Sequence, residues 1–224
     1  KSLNPEHPAQ RGTAQNPDVF FQAKEASNKA YDAIPEVVEE YMNKVNEKIG
    51  SDYKLFNYYG AEDADEVIIA MGSVCDTISE TVDYLNANGR KVGLVKVRLY
   101  RPFSVKHLVA AIPSTVKKIS VLDRTKEPGS IGEPLYLDVV AALRDTEFAN
   151  IPVYTGRYGL GSKDTTPAQI IAVFKNTEKK RFTIGINDDV TNLSLALDEN
   201  PDTTPAGITS CKFWGLGADG TVGA

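Results

Sequence analysis

The sequence predicts an α/β fold: an open, mostly parallel, doubly wound sheet, with an extended N-terminal arm before it and the start of a second domain after it. Three observations predict it. Short continuous apolar runs such as Val67-Ile68-Ile69-Ala70-Met71-Gly72 suit strands covered on both faces. Stretches of helical periodicity lie between these runs, so that strand and helix alternate several times. Strands separated by helices of this length need crossover connections, which make them parallel and place helices on both faces of the sheet.

Taken in order, residues 3–28 are rich in Pro, Asn, Gln and Gly with little periodicity and read as an extended connection. Residues 33–49 then place Val37, Val38, Tyr41, Met42, Val45 and Ile49 on one stripe. Pro35 in the first turn and Gly50 as a stop signal complete an amphipathic helix. Tyr53-Lys54-Leu55-Phe56-Asn57-Tyr58-Tyr59 has the alternation of a strand or of an aromatic interface patch. After the Val67 run, Ser73 and Asp76 resemble a capping box, and Ile78, Val82 and Leu85 follow at helical spacing until Gly89. Residues 91–98, 118–123 and 151–154 read as strands, residues 104–112, 134–144 and 166–175 as helices, and Arg181-Phe182-Thr183-Ile184-Gly185 closes the pattern.

The expected organisation is an arm and linker helix over 1–66, the α/β domain over 67–185 and a polar linker over 186–207. Residues 208–224 are expected to begin a following domain, whose strand leads into a Gly-rich loop. The absence of an initial Met and the final Gly-rich loop make both ends read as cut.

Hydrophobic residues at 42% and charged residues at 25% are an ordinary globular balance and exclude a disordered or fibrous chain. The net charge of −5, with both signs mixed along the length, leaves no basic stripe for nucleic acid. No apolar window is long enough to span a bilayer. The two cysteines, Cys75 and Cys211, form neither a disulfide framework nor a Cys-x-x-Cys metal pair, and a reducing cytoplasm is expected.

Gly215-Leu216-Gly217-Ala218-Asp219-Gly220 fits Gly-x-Gly-x-x-Gly after a strand. There, backbone N–H groups can approach a phosphate, or the glycines simply supply a tight turn. Gly156-Arg157-Tyr158-Gly159-Leu160-Gly161-Ser162-Lys163-Asp164 is a second Gly-rich loop after a strand, carrying two cations. Domain contacts are favoured over a ligand there, and the charged rim loop Asp123-Arg124-Thr125-Lys126-Glu127-Pro128-Gly129 is read the same way. His7 and His107 have no ligand-spaced partner, so no metal site is expected. Cys75 sits at a helix start but reads as a buried structural thiol. Asp188-Asp189 reads as a solvated pair rather than a cation site. Arg11-Gly12-Thr13-Ala14-Gln15-Asn16-Pro17-Asp18 is dense in hydrogen-bonding groups and suits a loop reaching into a neighbouring site.

Five strings in this order resemble the pyruvate:ferredoxin (flavodoxin) oxidoreductase family. They are Leu3-Asn4-Pro5-Glu6-His7-Pro8 with residues 11–18, Lys96-Val97-Arg98-Leu99-Tyr100-Arg101-Pro102-Phe103, Val121-Leu122 with the 123–129 loop, Gly156-Arg157-Tyr158-Gly159-Leu160-Gly161-Ser162, and residues 213–224. The resemblance implies that 67–185 is a transketolase C-terminal-like unit that supports the assembly without holding thiamine. It makes 1–66 the tail of a thiamine pyrimidine-type domain, and it makes Gly215, Gly217, Gly220, Thr221 and Gly223 contacts to the phosphates of coenzyme A.

For the full enzyme the resemblance implies thiamine diphosphate, magnesium and [4Fe-4S] clusters. The implied reaction converts pyruvate and coenzyme A to acetyl-CoA and carbon dioxide with reduction of ferredoxin or flavodoxin. The implied partners are those carriers, coenzyme A, other domains of the same polypeptide and further copies in a homo-oligomer. This chain has neither a Gly-Asp-Gly thiamine motif nor a Cys-x-x-Cys-x-x-Cys cluster motif. Catalytic residues, metal ligands and cofactors are therefore expected outside it. The alternatives are a stand-alone nucleotide or coenzyme A-binding module, and a subunit of a transketolase-like enzyme.

Overall fold

The computed structural model describes residues 4–7, 14–187, 190–205 and 207–215. Two helices open it, α1 (Pro17–Ala26) and α2 (Asn28–Ile49), with a break at Ser27, whose hydroxyl donates to the Lys24 carbonyl at 2.6 Å. The expectation of an extended connection over 3–28 is thus corrected. Pro17 occupies the first helical position, where its missing N–H costs nothing and its fixed φ suits the turn, so a residue read as a loop signal starts a helix. Helix α2 begins ahead of the predicted start, and Pro35 lies buried inside it rather than in its first turn. Val38 and Met42 pack on the domain, whereas Val37, Tyr41, Val45 and Ile49 remain exposed.

A six-stranded sheet follows: β1 (Phe56–Gly60), β2 (Glu66–Ala70), β3 (Val92–Val97), β4 (Lys118–Asp123), β5 (Val153–Arg157) and β6 (Arg181–Thr183), in the order β1-β3-β2-β4-β5-β6. All neighbours are parallel except β1, which pairs antiparallel with β3 from Phe56 opposite Val97 to Gly60 opposite Gly93. The connecting helices are α3 (Val74–Ala87), α4 (Val105–Ala111), α5 (Pro134–Leu143) and α6 (Pro167–Lys175). The open, mostly parallel α/β fold read from the sequence is the fold observed.

Side chains alternate across the sheet and divide the core in two. Ile68, Ala70 and Leu94 face α3 and α6, meeting Ile78, Val82 and Phe174. Val67, Ile69, Val95 and Val121 face the opposite side, meeting Leu108 of α4 and Leu135 and Val139 of α5. These side chains are almost wholly buried, and each of them except the small Ala70 contributes roughly 1.5–3 kcal/mol by leaving water.

Two local expectations are corrected. Ser73 has helical angles (φ −64°, ψ −23°) and makes no side-chain cap, so the Ser73/Asp76 box does not form; a capping residue needs extended backbone to turn its oxygen onto the free N–H groups. The strand expected from Ile208 is also not formed in residues 207–215. Ile208, Phe213 and Trp214 are 55%, 79% and 85% exposed, and no neighbouring strand pairs with them. Within the predicted linker, in contrast, Thr183 N–H donates to Leu193 and Leu195 N–H donates to Thr183, both at 3.0 Å, so that segment covers the edge of β6.

Candidate functional site

Chain order and sheet order place one crevice at the carboxyl ends of the strands. From β2 the chain crosses through α3 to β3 on one side, whereas from β4 it crosses through α5 to β5 on the other. Because β2 and β4 are neighbours, their ends are left open between diverging connections, the place where open α/β sheets receive ligands. A cleft of about 310 Å³ lies there, bordered by Met71, Gly72, Tyr100, Asp123, Arg124 and Tyr158.

Asp123 ends β4, and its carboxylate accepts the N–H groups of Leu135 at 3.0 Å and Tyr136 at 3.1 Å, two of the free donors at the start of α5. Burial pushes its carboxyl pKa up, and the two N–H donors oppose that rise. Asp123 is thereby committed to holding α5. Glu133, 2% exposed, accepts the Glu127 N–H at 2.7 Å and lies 3.5 Å from Arg157 Nη1. Arg157 Nε is buried without an acceptor.

The loop after β5 is shaped by glycine. At Gly156 a Cβ would lie 2.3 Å from the Phe182 ring and 2.7 Å from Leu122, so only a hydrogen fits. Gly159 has φ +67°, and its carbonyl accepts Arg124 Nε–H at 3.0 Å. Between them Tyr158 is buried, its hydroxyl 3.5 Å from the Met71 carbonyl, and burial pushes its pKa up to about 12. Two further clefts flank Tyr158 and Gly159. One is bordered by Ser73, Thr77, Arg124, Ser162 and Lys163, the other by Lys126, Arg157, Leu160, Ile184 and Ile186.

The other candidates fall elsewhere. Cys75 is buried in the α3 core, and desolvation pushes its thiol up to about 11, which fits a structural thiol and not a stabilised thiolate; Cys211 is exposed. The sequence spacing showed no carboxylate near His107, yet the fold brings Glu39 of α2 to 3.5 Å from its Nε2, while Nδ1 lies 2.6 Å from Ser104 Oγ. Serine and carboxylate thus sit on the nitrogens opposite to those of a serine hydrolase triad, and the set clamps α2 to α4. Sequence separation hid this contact, since only the packing of α2 creates it.

Among the described residues no group of three His, Cys, Asp or Glu side chains can hold a metal ion. None of their helices is long and apolar enough to cross a membrane. Gly215 lies exposed in irregular chain. Gly217, Gly220, Thr221 and Gly223 lie outside the described residues, as do Arg11, Gly12, Thr13, Asp188 and Asp189.

The fold and its rim define an open-sheet α/β domain with ligand-sized clefts at the strand ends and, among the described residues, no nucleophile–base pair lining them. Residues 64–170 match the model of pyruvate:ferredoxin oxidoreductase core domain II. The whole chain is 59% identical to part of a pyruvate-flavodoxin oxidoreductase of Enterobacter agglomerans and 56% identical to part of a pyruvate:ferredoxin oxidoreductase of Moorella thermoacetica. It spans 19% of the length of each of these curated relatives. A solved 2-oxoglutarate:ferredoxin oxidoreductase from Magnetococcus marinus, with 2-oxoglutarate, coenzyme A and succinyl-CoA bound, is 26% identical, with a TM-score of 0.41 over 62% of this chain and 22% of that one.

Proposed function

We propose that this chain is the supporting α/β portion of a 2-oxoacid oxidoreductase that converts pyruvate and coenzyme A to acetyl-CoA and carbon dioxide and reduces ferredoxin or flavodoxin. The observation that carries this reading is identity of 59% along the entire chain to a pyruvate-flavodoxin oxidoreductase, together with the match of residues 64–170 to the core domain II model. We further read the segment before the sheet as belonging to a thiamine-binding neighbour and residues 208–224 as the start of a coenzyme A domain. In that reading Gly215, Gly217, Gly220, Thr221 and Gly223 approach the phosphates of the coenzyme, and the enzyme works in the cytoplasm as a homo-oligomer.

The donor set of this chain does not fit an iron–sulfur cluster. A cubane takes four thiolates, and the chain has two cysteines, one of them buried in a hydrophobic core. Electron transfer is therefore assigned to other parts of the enzyme. The contribution of this chain is rigidity: Asp123 fixes α5 to β4, His107 and Glu39 fix α2 to α4, and the two-sided core holds the rim in place.

The test is an anaerobic assay of a full polypeptide that carries this chain. Reduction of ferredoxin or flavodoxin that requires both pyruvate and coenzyme A is expected. Absence of that reduction from a folded, cofactor-loaded polypeptide would contradict the reading.

A further inference from the structure

Four cations, Arg124, Lys126, Arg157 and Lys163, border the two adjoining clefts at the ends of β4, β5 and β6, in a chain of net charge −5. Among the described residues the side chains of Lys126 and Lys163 make no hydrogen bond or ion pair. Arg124 is used only by the Gly159 carbonyl, and Arg157 reaches Glu133 only at 3.5 Å and keeps a buried Nε without an acceptor. Among the described residues, the carboxylate that borders these clefts is Asp164.

The two clefts differ in chemistry. The cleft of about 320 Å³ is polar: the first turn of α3, through Ser73 and Thr77, faces Arg124, Ser162 and Lys163. A helix start with two nearby cations suits a doubly charged oxyanion. The cleft of about 170 Å³ is mostly apolar, through Tyr158, Leu160, Ile184 and Ile186, with Arg157 and Lys126 at its edge. Tyr158, Gly159 and Lys163 border both clefts, so one molecule can occupy the two together. The loop between them holds Gly159, Gly161 and Ser162 at φ +67°, +63° and +58°; Ser162 is a non-glycine residue in a conformation that concentrates at binding sites.

We propose that these clefts form one binding site for a small phosphorylated molecule with a flat apolar body, of the nucleoside phosphate class. The phosphate lies between the start of α3, Arg124 and Lys163, and the apolar body lies against Leu160, Ile184 and Ile186. This site is built from residues other than 215–223 and does not depend on the oxidoreductase reading.

The experiment is calorimetric titration of the 224-residue chain with ADP, with adenosine and inorganic phosphate as separate probes. ADP is expected to bind saturably at one site, and each half-probe more weakly. Lys163→Ala, an exposed change in the shared wall, is expected to weaken ADP binding about tenfold or more while leaving the melting temperature unchanged. Lys126→Ala, on the opposite edge, serves as a second variant and is expected to weaken it in the same direction. Absence of saturable ADP binding would overturn the proposal. So would ADP binding that both variants leave unchanged, which would place the nucleotide at another loop, and so would phosphate binding as tight as ADP, which would remove the apolar compartment.

Discussion

Lys118 Nζ lies 2.5 Å from Glu66 Oε2, joining the first residues of the neighbouring strands β4 and β2 at the edge opposite the clefts. The ammonium donates its hydrogen bonds to the carbonyls of Phe174 at 2.6 Å and Asn176 at 3.0 Å, so the contact with Glu66 is an ion pair beside them. Arg90 Nη2 donates to the other oxygen of Glu66 at 2.9 Å. One buried lysine therefore ties β2, β4 and the end of α6 together. Lys118→Met leaves two carbonyls and one carboxylate oxygen without this partner, and a loss of roughly 3 kcal/mol is expected in urea unfolding followed by circular dichroism. An unchanged midpoint would show that the ammonium contributes no net stability.

Asp123 gives a pH signature. Its folded-state pKa is raised above the unfolded value, chiefly by burial, so the folded chain binds the proton more tightly. Stability then falls as pH rises from the ordinary carboxylate range through the raised folded value. Asp123→Asn removes the titration and is expected to flatten that part of the curve of melting temperature against pH. Asp123→Ala removes both acceptors from the start of α5 and is expected to cost about 1–3 kcal/mol. A wild-type curve that rises through this window would contradict the assignment.

The two thiols are expected to differ in reactivity. Cys211 is exposed, whereas Cys75 is buried and its thiol is pushed up to about 11. A thiol reagent at neutral pH is expected to label Cys211 quickly and Cys75 only after denaturant is added, as peptide mass analysis would show. Rapid labelling of Cys75 in the native chain would mean that the α3 core opens.

Gly156→Ala tests the packing that forms the rim. The new methyl group would meet the Phe182 ring at 2.3 Å, and overpacking of this kind costs typically about 1–3 kcal/mol. Differential scanning calorimetry is expected to show a lowered melting temperature, and an unchanged one would mean that Phe182 moves aside freely.

The central sheet was legible because buried parallel strands are largely apolar runs set between stretches of helical periodicity: Val67-Ile68-Ile69-Ala70 and Lys118-Ile119-Ser120-Val121-Leu122-Asp123 lie where the sequence pattern put them. Helix α1 was not legible, since Pro and Asn, here Pro17 and Asn16, serve turns and loops as well as helix starts. The antiparallel pairing of β1 with β3 and the meeting of Glu39 with His107 depend on contacts between distant residues, which local periodicity does not encode. At the rim, the glycines and cations of the 123–129 and 156–164 loops stood out in the sequence. Their convergence around Tyr158, and the use of Asp123 to hold α5, required the strand order.

On the reading proposed above, this chain supports a 2-oxoacid oxidoreductase whose chemistry lies in other domains. The most direct measurement is pyruvate- and coenzyme A-dependent reduction of ferredoxin by the purified 224-residue chain beside a full polypeptide containing it. Turnover by the full polypeptide and none by the chain alone is the predicted result. Reduction of ferredoxin by the chain alone would contradict the claim.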